Sequence, residues 1–308
     1  MKIIFMGTPD FAVSILEALI KAGHDIVLAV TQPDQPKGRG KLVQFSPVKT
    51  AAFAHNIEVY QPERIRRPEC VEYLRKYDAD IMIVAAFGQI LPKEILEMSK
   101  YGCVNVHASL LPKYRGASPN QWALINGDKT AGVTTMQMDE GVDTGDMLEK
   151  AEVTLAEDET GGSLFEKLAQ LGAELCVQTV AHIQDKTVTR TKQNEAQATH
   201  VGMITKNMGC IDWHRPAVQI ERLIRGLNPW PSAFTVLDGR TLKVWKARVI
   251  EGGDPALAGL VTKADKKQMV VQTGSGQLSL LEVQLEGKKR MPVDAFLRGY
   301  QVKENTKL

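Results

Sequence analysis

The sequence has four cysteines, Cys70, Cys103, Cys176 and Cys210, widely spaced and with no Cys-x-x-Cys among them. That spacing argues against a zinc site and a disulfide scaffold, and no metal is expected. No stretch approaches the roughly twenty apolar residues that a membrane-crossing helix needs. The apolar opening, residues 1–6, stops at Gly7-Thr8-Pro9-Asp10, too short for a secretory signal, so a soluble cytoplasmic protein is expected. The same turn lacks Gly-x-Gly-x-x-Gly, and Pro9 removes an amide hydrogen that a pyrophosphate would use. A dinucleotide cofactor is therefore excluded.

Net charge is also nearly absent, +2 over 308 residues, but it divides unevenly. Residues 1–205 carry 21 Lys+Arg against 26 Asp+Glu, whereas residues 206–308 carry 17 against 10. A cationic second part beside an acidic first one suits a polyanionic partner such as nucleic acid, although a soluble positive surface has the same composition. With 44% hydrophobic residues and a length beyond one ordinary domain, two domains are expected. Their limits are read as residues 1–189, a linker at 190–205 that is rich in Thr, Gln and Asn, and residues 206–308.

The first part alternates strand and helix. Residues 2–6, 24–30 and 80–87 are apolar strand-like runs, and Phe11, Ile15, Leu16 and Leu19 repeat at helical spacing. This predicts an α/β fold with a doubly wound, mostly parallel sheet. Residues 32–47 are too long and polar for an ordinary strand-to-helix turn and read as a functional loop, with Lys37, Arg39 and Lys41 separated by Gly38 and Gly40. The second part reads as one helix over 217–226 and five or six short strands separated by Gly, Asp and Lys turns. That pattern predicts a small β-barrel of the oligonucleotide-binding type. Residues 299–303 read as a basic tail.

The most informative stretch runs from Gly102 to Gly145. Cys103-Val104-Asn105-Val106-His107 alternates as a strand does, so Asn105 and His107 project from one face. A stiff loop with Pro112, Gly116 and Pro119 follows. A second strand over 133–138 leads to Asp139-Glu140-Gly141-Val142-Asp143-Thr144-Gly145-Asp146, four acids with two glycines. Asp143 is the candidate partner of His107. A carboxylate fixes an imidazole's tautomer and stabilises its charged form, while an amide donates to a developing oxyanion; together they suit acyl transfer to an amine. An ordinary hydrogen-bonded pair and a solvated or cation-binding acidic turn fit these residue types as well.

Residues 105–117, Asn-Val-His-Ala-Ser-Leu-Leu-Pro-Lys-Tyr-Arg-Gly-Ala, with the acidic loop downstream, resemble the signature of formyltransferases that use 10-formyltetrahydrofolate. Met6-Gly7-Thr8-Pro9-Asp10-Phe11-Ala12, Thr31-Gln32-Pro33-Asp34, Gly38-Arg39-Gly40-Lys41 and Leu227-Asn228-Pro229-Trp230-Pro231 extend the likeness to the branch acting on transfer RNA. The resemblance implies direct formyl transfer, through a tetrahedral intermediate, from 10-formyltetrahydrofolate to the methionine amino group of initiator methionyl-tRNA. It implies Asn105, His107 and Asp143 as the catalytic set. For the folate it implies Phe87, Gln89, Ile90, Leu91, Ser109, Leu110, Leu111, Pro112 and Val142. For the transfer RNA it implies Arg39, Lys41, Lys206 and Lys303, on a monomer.

Overall fold

The structure is a computed structural model of the chain and describes residues 1–37 and 42–308. It divides into two compact units that interleave along the sequence. The first comprises Met1–Pro119, Thr130–Thr154 and Phe165–Val201; the second comprises Asn120–Lys129, Leu155–Leu164 and Gly202–Leu308.

The chain begins with strand β1 (Lys2–Gly7), helix α1 (Asp10–Lys21) and β2 (Asp25–Val30). Helix α1 buries Phe11, Ile15, Leu16 and Leu19, has Asp10 in its first turn and Lys21 in its last, and so places its charges with the helix dipole. Short strands β3 (Gln35–Lys37) and β4 (Leu42–Gln44) pair antiparallel, so the expected loop over 32–47 contains a hairpin. Helix α2 (Pro47–Ala54) starts where the Ser46 hydroxyl accepts from the Lys49 amide at 3.1 Å, with Pro47 in its first turn. Then come β5 (Val59–Tyr60), α3 (Pro68–Arg75), β6 (Ile81–Ala85), the single turn α4 (Lys93–Leu96) and β7 (Cys103–His107). Every residue of β6 and β7 is buried.

After β8 (Arg115–Gly116) and α5 (Pro119–Asn126), strands β9 (Thr130–Gln137) and β10 (Met147–Thr154) precede the long helix α6 (Gly161–Gln184). The main sheet has the order β10-β9-β7-β6-β1-β2-β5. Five strands, from β7 to β5, run parallel, and β9 and β10 add antiparallel. The doubly wound, mostly parallel expectation therefore holds, with an antiparallel edge. One face of the sheet packs Ile4, Met6, Leu28, Val30, Met82 and Val84 against Leu74, Leu91 and Ile95. At the carboxyl ends, the Thr8 hydroxyl and the Gln32 side-chain amide both donate to the Phe87 carbonyl, at 3.2 and 3.0 Å, and tie β1, β2 and β6 together.

The stretch read as a linker, 190–205, holds a 3-10 turn (Glu195–Gln197) and β11 (His200–Val201), which pairs in parallel with β8.

In the second unit, α7 (Ala217–Gly226) buries Ala217, Ile220 and Ile224 at helical spacing. Strands β12 (Ala233–Leu237), β13 (Arg240–Ile250), β14 (Val261–Ala264), β15 (Met269–Gln272), β16 (Gln277–Leu285) and β17 (Met291–Pro292) form an antiparallel sheet, and helix α8 (Val293–Gly299) follows. Its core gathers Trp213, Ile220, Leu242, Val244, Val271, Leu280 and Phe296, and the Trp213 indole donates to the Thr235 hydroxyl at 3.1 Å. The segment after α8 is no loose tail: Val302 is buried, and the Val261 amide donates to the Thr306 carbonyl at 2.9 Å. The mid-chain pieces belong here through polar links. The Gln121 amide reaches the Gly226 and Trp230 carbonyls, the Gly162 amide reaches Asn228, and Arg225 reaches the Glu159 carbonyl.

Ile83 sits at the centre of the main sheet with no exposed surface. Ile83→Ala is expected to lower stability by about 2–5 kcal/mol, the cost of lost transfer energy plus a cavity. Chemical denaturation reads it, and a loss under about 1 kcal/mol would mean that this strand is not the packed centre.

Candidate active site

Alternation along β7 puts Asn105 and His107 on one face at the strand's carboxyl end, both 8% exposed. The antiparallel neighbour β9 sets Met136 opposite Asn105 and Thr134 opposite His107. Asp143 arrives from the loop after β9. The three side chains converge: the Asn105 amide donates to Asp143 Oδ1 at 3.4 Å, and His107 Nδ1 lies 3.6 Å from Asp143 Oδ2. The 3.6 Å separation is an ion-pair distance, longer than a hydrogen bond. The closer partner of Oδ2 is the Gly116 backbone amide at 2.8 Å. His107 Nε2 lies 2.9 Å from the Tyr114 carbonyl, which can only accept. That contact fixes the hydrogen on Nε2 and turns Nδ1 toward the carboxylate.

The loop between His107 and Gly116 is held at each step. The Thr134 hydroxyl donates to the Ser109 carbonyl at 2.7 Å and accepts from the Leu111 amide at 3.1 Å. The Ser109 hydroxyl donates to the Lys113 carbonyl at 2.7 Å, and the Tyr114 amide donates to the Thr199 hydroxyl at 2.8 Å. Arg115 is 1% exposed, a costly place for a cation unless every donor is satisfied. Its guanidinium makes a two-pronged pair with Glu195, at 2.9 and 2.6 Å, and its Nε donates to Gln193 Oε1 at 3.0 Å. Those hydrogen bonds hold the Glu195 carboxyl below its ordinary range and the Arg115 guanidinium above its own. Gln193 also donates through Nε2 to the carbonyls of Asp143 and Gly145, both at 2.8 Å.

Asp143 adopts φ +55°, in the left-handed region that a residue with a side chain seldom enters. Gly145 is buried so tightly that a β-carbon there would stand 1.8 Å from the Gln137 carbonyl oxygen, so the turn admits no side chain at this position. The sequence pattern marked Asn105, His107 and Asp143 but not Gln193, Glu195, Thr134 or Thr199. Nothing in a polar stretch 50 residues beyond Asp143 signals that Gln193 returns to it.

Among the residues expected to hold folate, Phe87 and Leu91 put their side chains into the hydrophobic core, and Leu111 packs fully buried against Met136 and Met147. Gln89 accepts from the Ile65 amide at 2.7 Å and donates to the Pro62 carbonyl at 3.0 Å. Ile90 and Val142 are exposed, at 68% and 56%. Leu110 and Pro112 are half-buried, and Ser109 is buried in the contacts above. Around 87–91 the Phe87 carbonyl is taken by Thr8 and Gln32, and Ile90 leaves its side chain exposed. Arg39 and Lys41 lie outside the described residues, while Lys206 and Lys303 are exposed on the second unit. A cavity of about 590 Å³ in the second unit, lined by Trp122, Ile125, Met208, Ile220 and Leu223 among others, includes none of the three converging residues.

Residues 1–180 match the sequence profile of the formyl transferase family, and residues 203–301 match that of the formyl transferase C-terminal domain. The chain belongs to the formyl transferase family. Within it, the chain is 63% identical over 306 residues to a methionyl-tRNA formyltransferase of Agathobacter rectalis, covering 99% of both chains. It is 52% identical over 313 residues to one of Lachnospira eligens, covering 100% of this chain and 99% of that one. The fold is shared with a solved N-formyltransferase from Helicobacter canadensis in complex with folinic acid and dTDP-3-aminofucose. The TM-score is 0.66 at 18% identity, over 91% of this chain and 98% of that one.

The lowered Glu195 pKa has a sign. Its pairing with Arg115 is fully present above the ordinary 4.5 and is lost as pH falls through the depressed folded value. The Arg115 and Thr199 amides, which donate to the Thr199 and Pro112 carbonyls, should keep constant exchange protection at neutral pH. Below that carboxylate range, protection should fall at these two amides before it falls in β6. Simultaneous loss in β6 would mean that the pair does not hold this segment locally.

Proposed function

We propose that the protein transfers the formyl group of 10-formyltetrahydrofolate to the amino group of methionine on initiator methionyl-tRNA. The observation that carries this reading is the convergence of amide, imidazole and carboxylate at a strand's carboxyl end, in a chain related over its whole length to methionyl-tRNA formyltransferases. The amine lone pair attacks the formyl carbon, a carbon–nitrogen bond forms, and the carbonyl electrons move to oxygen. Asn105 keeps an amide hydrogen for that oxygen, and the charge of protonated His107 stabilises it. Asp143 stabilises the imidazolium. Collapse of the tetrahedral species breaks the bond to the folate nitrogen, which takes a proton as the attacking amine gives one up. His107 carries the proton between them.

On this reading the folate lies against the backbone of residues 87–91 and the loop 109–112, with Ile90 and Val142 as side-chain contacts, and transfer needs no metal. Residues 1–189 form the catalytic part, 190–205 the connection and 206–308 the part that binds transfer RNA, with Arg39, Lys41, Lys206 and Lys303 facing phosphates. The protein works as a cytoplasmic monomer. The excess of cations in residues 206–308 supports the polyanion assignment.

The deciding assay incubates the protein with formyl donor and either initiator or elongator methionyl-tRNA. Formylation of the initiator species is expected. Formylation of an amino sugar with none of either transfer RNA would replace this reading by a small-amine one. His107→Ala should lower the single-turnover rate by roughly 10²–10⁴-fold with donor affinity little changed. A variant keeping most of its rate would remove His107 from the chemistry. Affinity for transfer RNA should fall steeply as salt rises, since each neutralised phosphate releases counterions.

A further inference from the structure

Gln193 lies in the segment that the sequence reads as a connection, yet each polar group of its side chain is engaged at the candidate active site. Nε2 has two hydrogens, and both go to main-chain carbonyls that bracket one turn, Asp143 and Gly145, at 2.8 Å each. Oε1 accepts from Arg115 Nε at 3.0 Å. The orientation of the amide is unambiguous, because carbonyl oxygens can only accept and a guanidinium can only donate.

These contacts join the two supports of the Asp143 carboxylate. One is the turn itself, which places Asp143 at φ +55° and which Gly145 seats against β9 without room for a β-carbon. The other is the chain at Arg115-Gly116, whose Gly116 amide donates to Asp143 Oδ2 at 2.8 Å. Arg115 is buried and clamped by Glu195, so Gln193 leans on a fixed neighbour. With Gln193 removed, the backbone of the turn loses its side-chain link to Arg115. The carboxylate then rests on Gly116 and Asn105 while the backbone that carries it is unbraced, and its 3.6 Å placement against His107 Nδ1 loosens.

We infer that Gln193 is a positioning residue for the transfer reaction: it holds the Asp143 turn so that the carboxylate faces the imidazole. The inference rests on the reading of Asn105, His107 and Asp143 given above. Gln193 touches no reacting atom and works only through Asp143 and Arg115. A chain-connecting segment thereby contributes a working part of the site.

The test uses the full-length protein with Gln193→Glu and Gln193→Ala. Glutamate keeps the shape and the acceptor for Arg115 but loses both donors and sets a carboxylate against two carbonyls. For Gln193→Glu, thermal melting is expected to match the parent. The single-turnover formylation rate at saturating substrates should fall on the order of 10²-fold, as expected for a displaced catalytic group. KM for folate and for methionyl-tRNA should stay within about threefold, since an orienting interaction is lost and not a binding one. The pH–rate profile should change shape, because the carboxylate that faces the imidazole has moved; a purely structural role would leave it in place. Gln193→Ala should show the same split. A parental rate and pH profile in Gln193→Glu, or losses confined to KM or matched by lower melting temperature, would overturn the assignment. His107→Ala, run alongside, separates the two layers. If it is inactive and Gln193→Glu is parental, only the role of Gln193 falls; if it is fully active, the reading of the catalytic set falls first.

Discussion

The arrangement at the candidate site depends on one constraint: a carboxylate held from several sides by groups that cannot follow it if it moves. Asp143 takes a backbone amide from Gly116 and a side-chain amide from Asn105, and its own carbonyl takes Gln193. Its backbone conformation is one that an aspartate tolerates but does not choose. Such a conformation persists when the surroundings over-determine it, and here they do. The buried strand β7 fixes Asn105 and His107, the Thr134 contacts fix the loop that follows, and the Tyr114 carbonyl fixes the imidazole's hydrogen.

Much of this was legible in the chain, and the reasons differ from element to element. Strands β6 and β7 and helix α7 announce themselves through apolar runs or helical spacing, because each buries a face. The turn after β9 shows in its acids and glycines. Strands of two or three residues have no period to detect, so the hairpin β3–β4 and the β8–β11 pair were invisible. Helix α8 is only seven residues long, and its buried Val293 and Phe296 make too short a stripe to stand out. Arg115 was seen as part of a motif, but its burial depends on Glu195, 80 residues away.

The folate side carries a related lesson. A motif names positions without saying whether the side chain or the main chain does the work. Phe87, Leu91 and Leu111 spend their side chains on the core, and Gln89 spends its own on bracing residues 62–65. Past the end of β6 the chain turns sharply, with Ala86 and Gly88 at positive φ, and the Phe87 carbonyl between them is held by Thr8 and Gln32.

The strap formed by residues 193–201 has a consequence in time as well as space. Arg115 leaves the ribosome 80 residues before its partner Glu195 exists. Until that partner emerges, the guanidinium has no carboxylate to receive it, and the Asp143 turn lacks its brace. The sheet can collapse early from its own apolar strands. The geometry of the candidate site must wait for the last stretch of the first unit, after which the chain passes directly into Gly202 and the second. A nascent chain cut short before that point would have the sheet's core and lack a finished site.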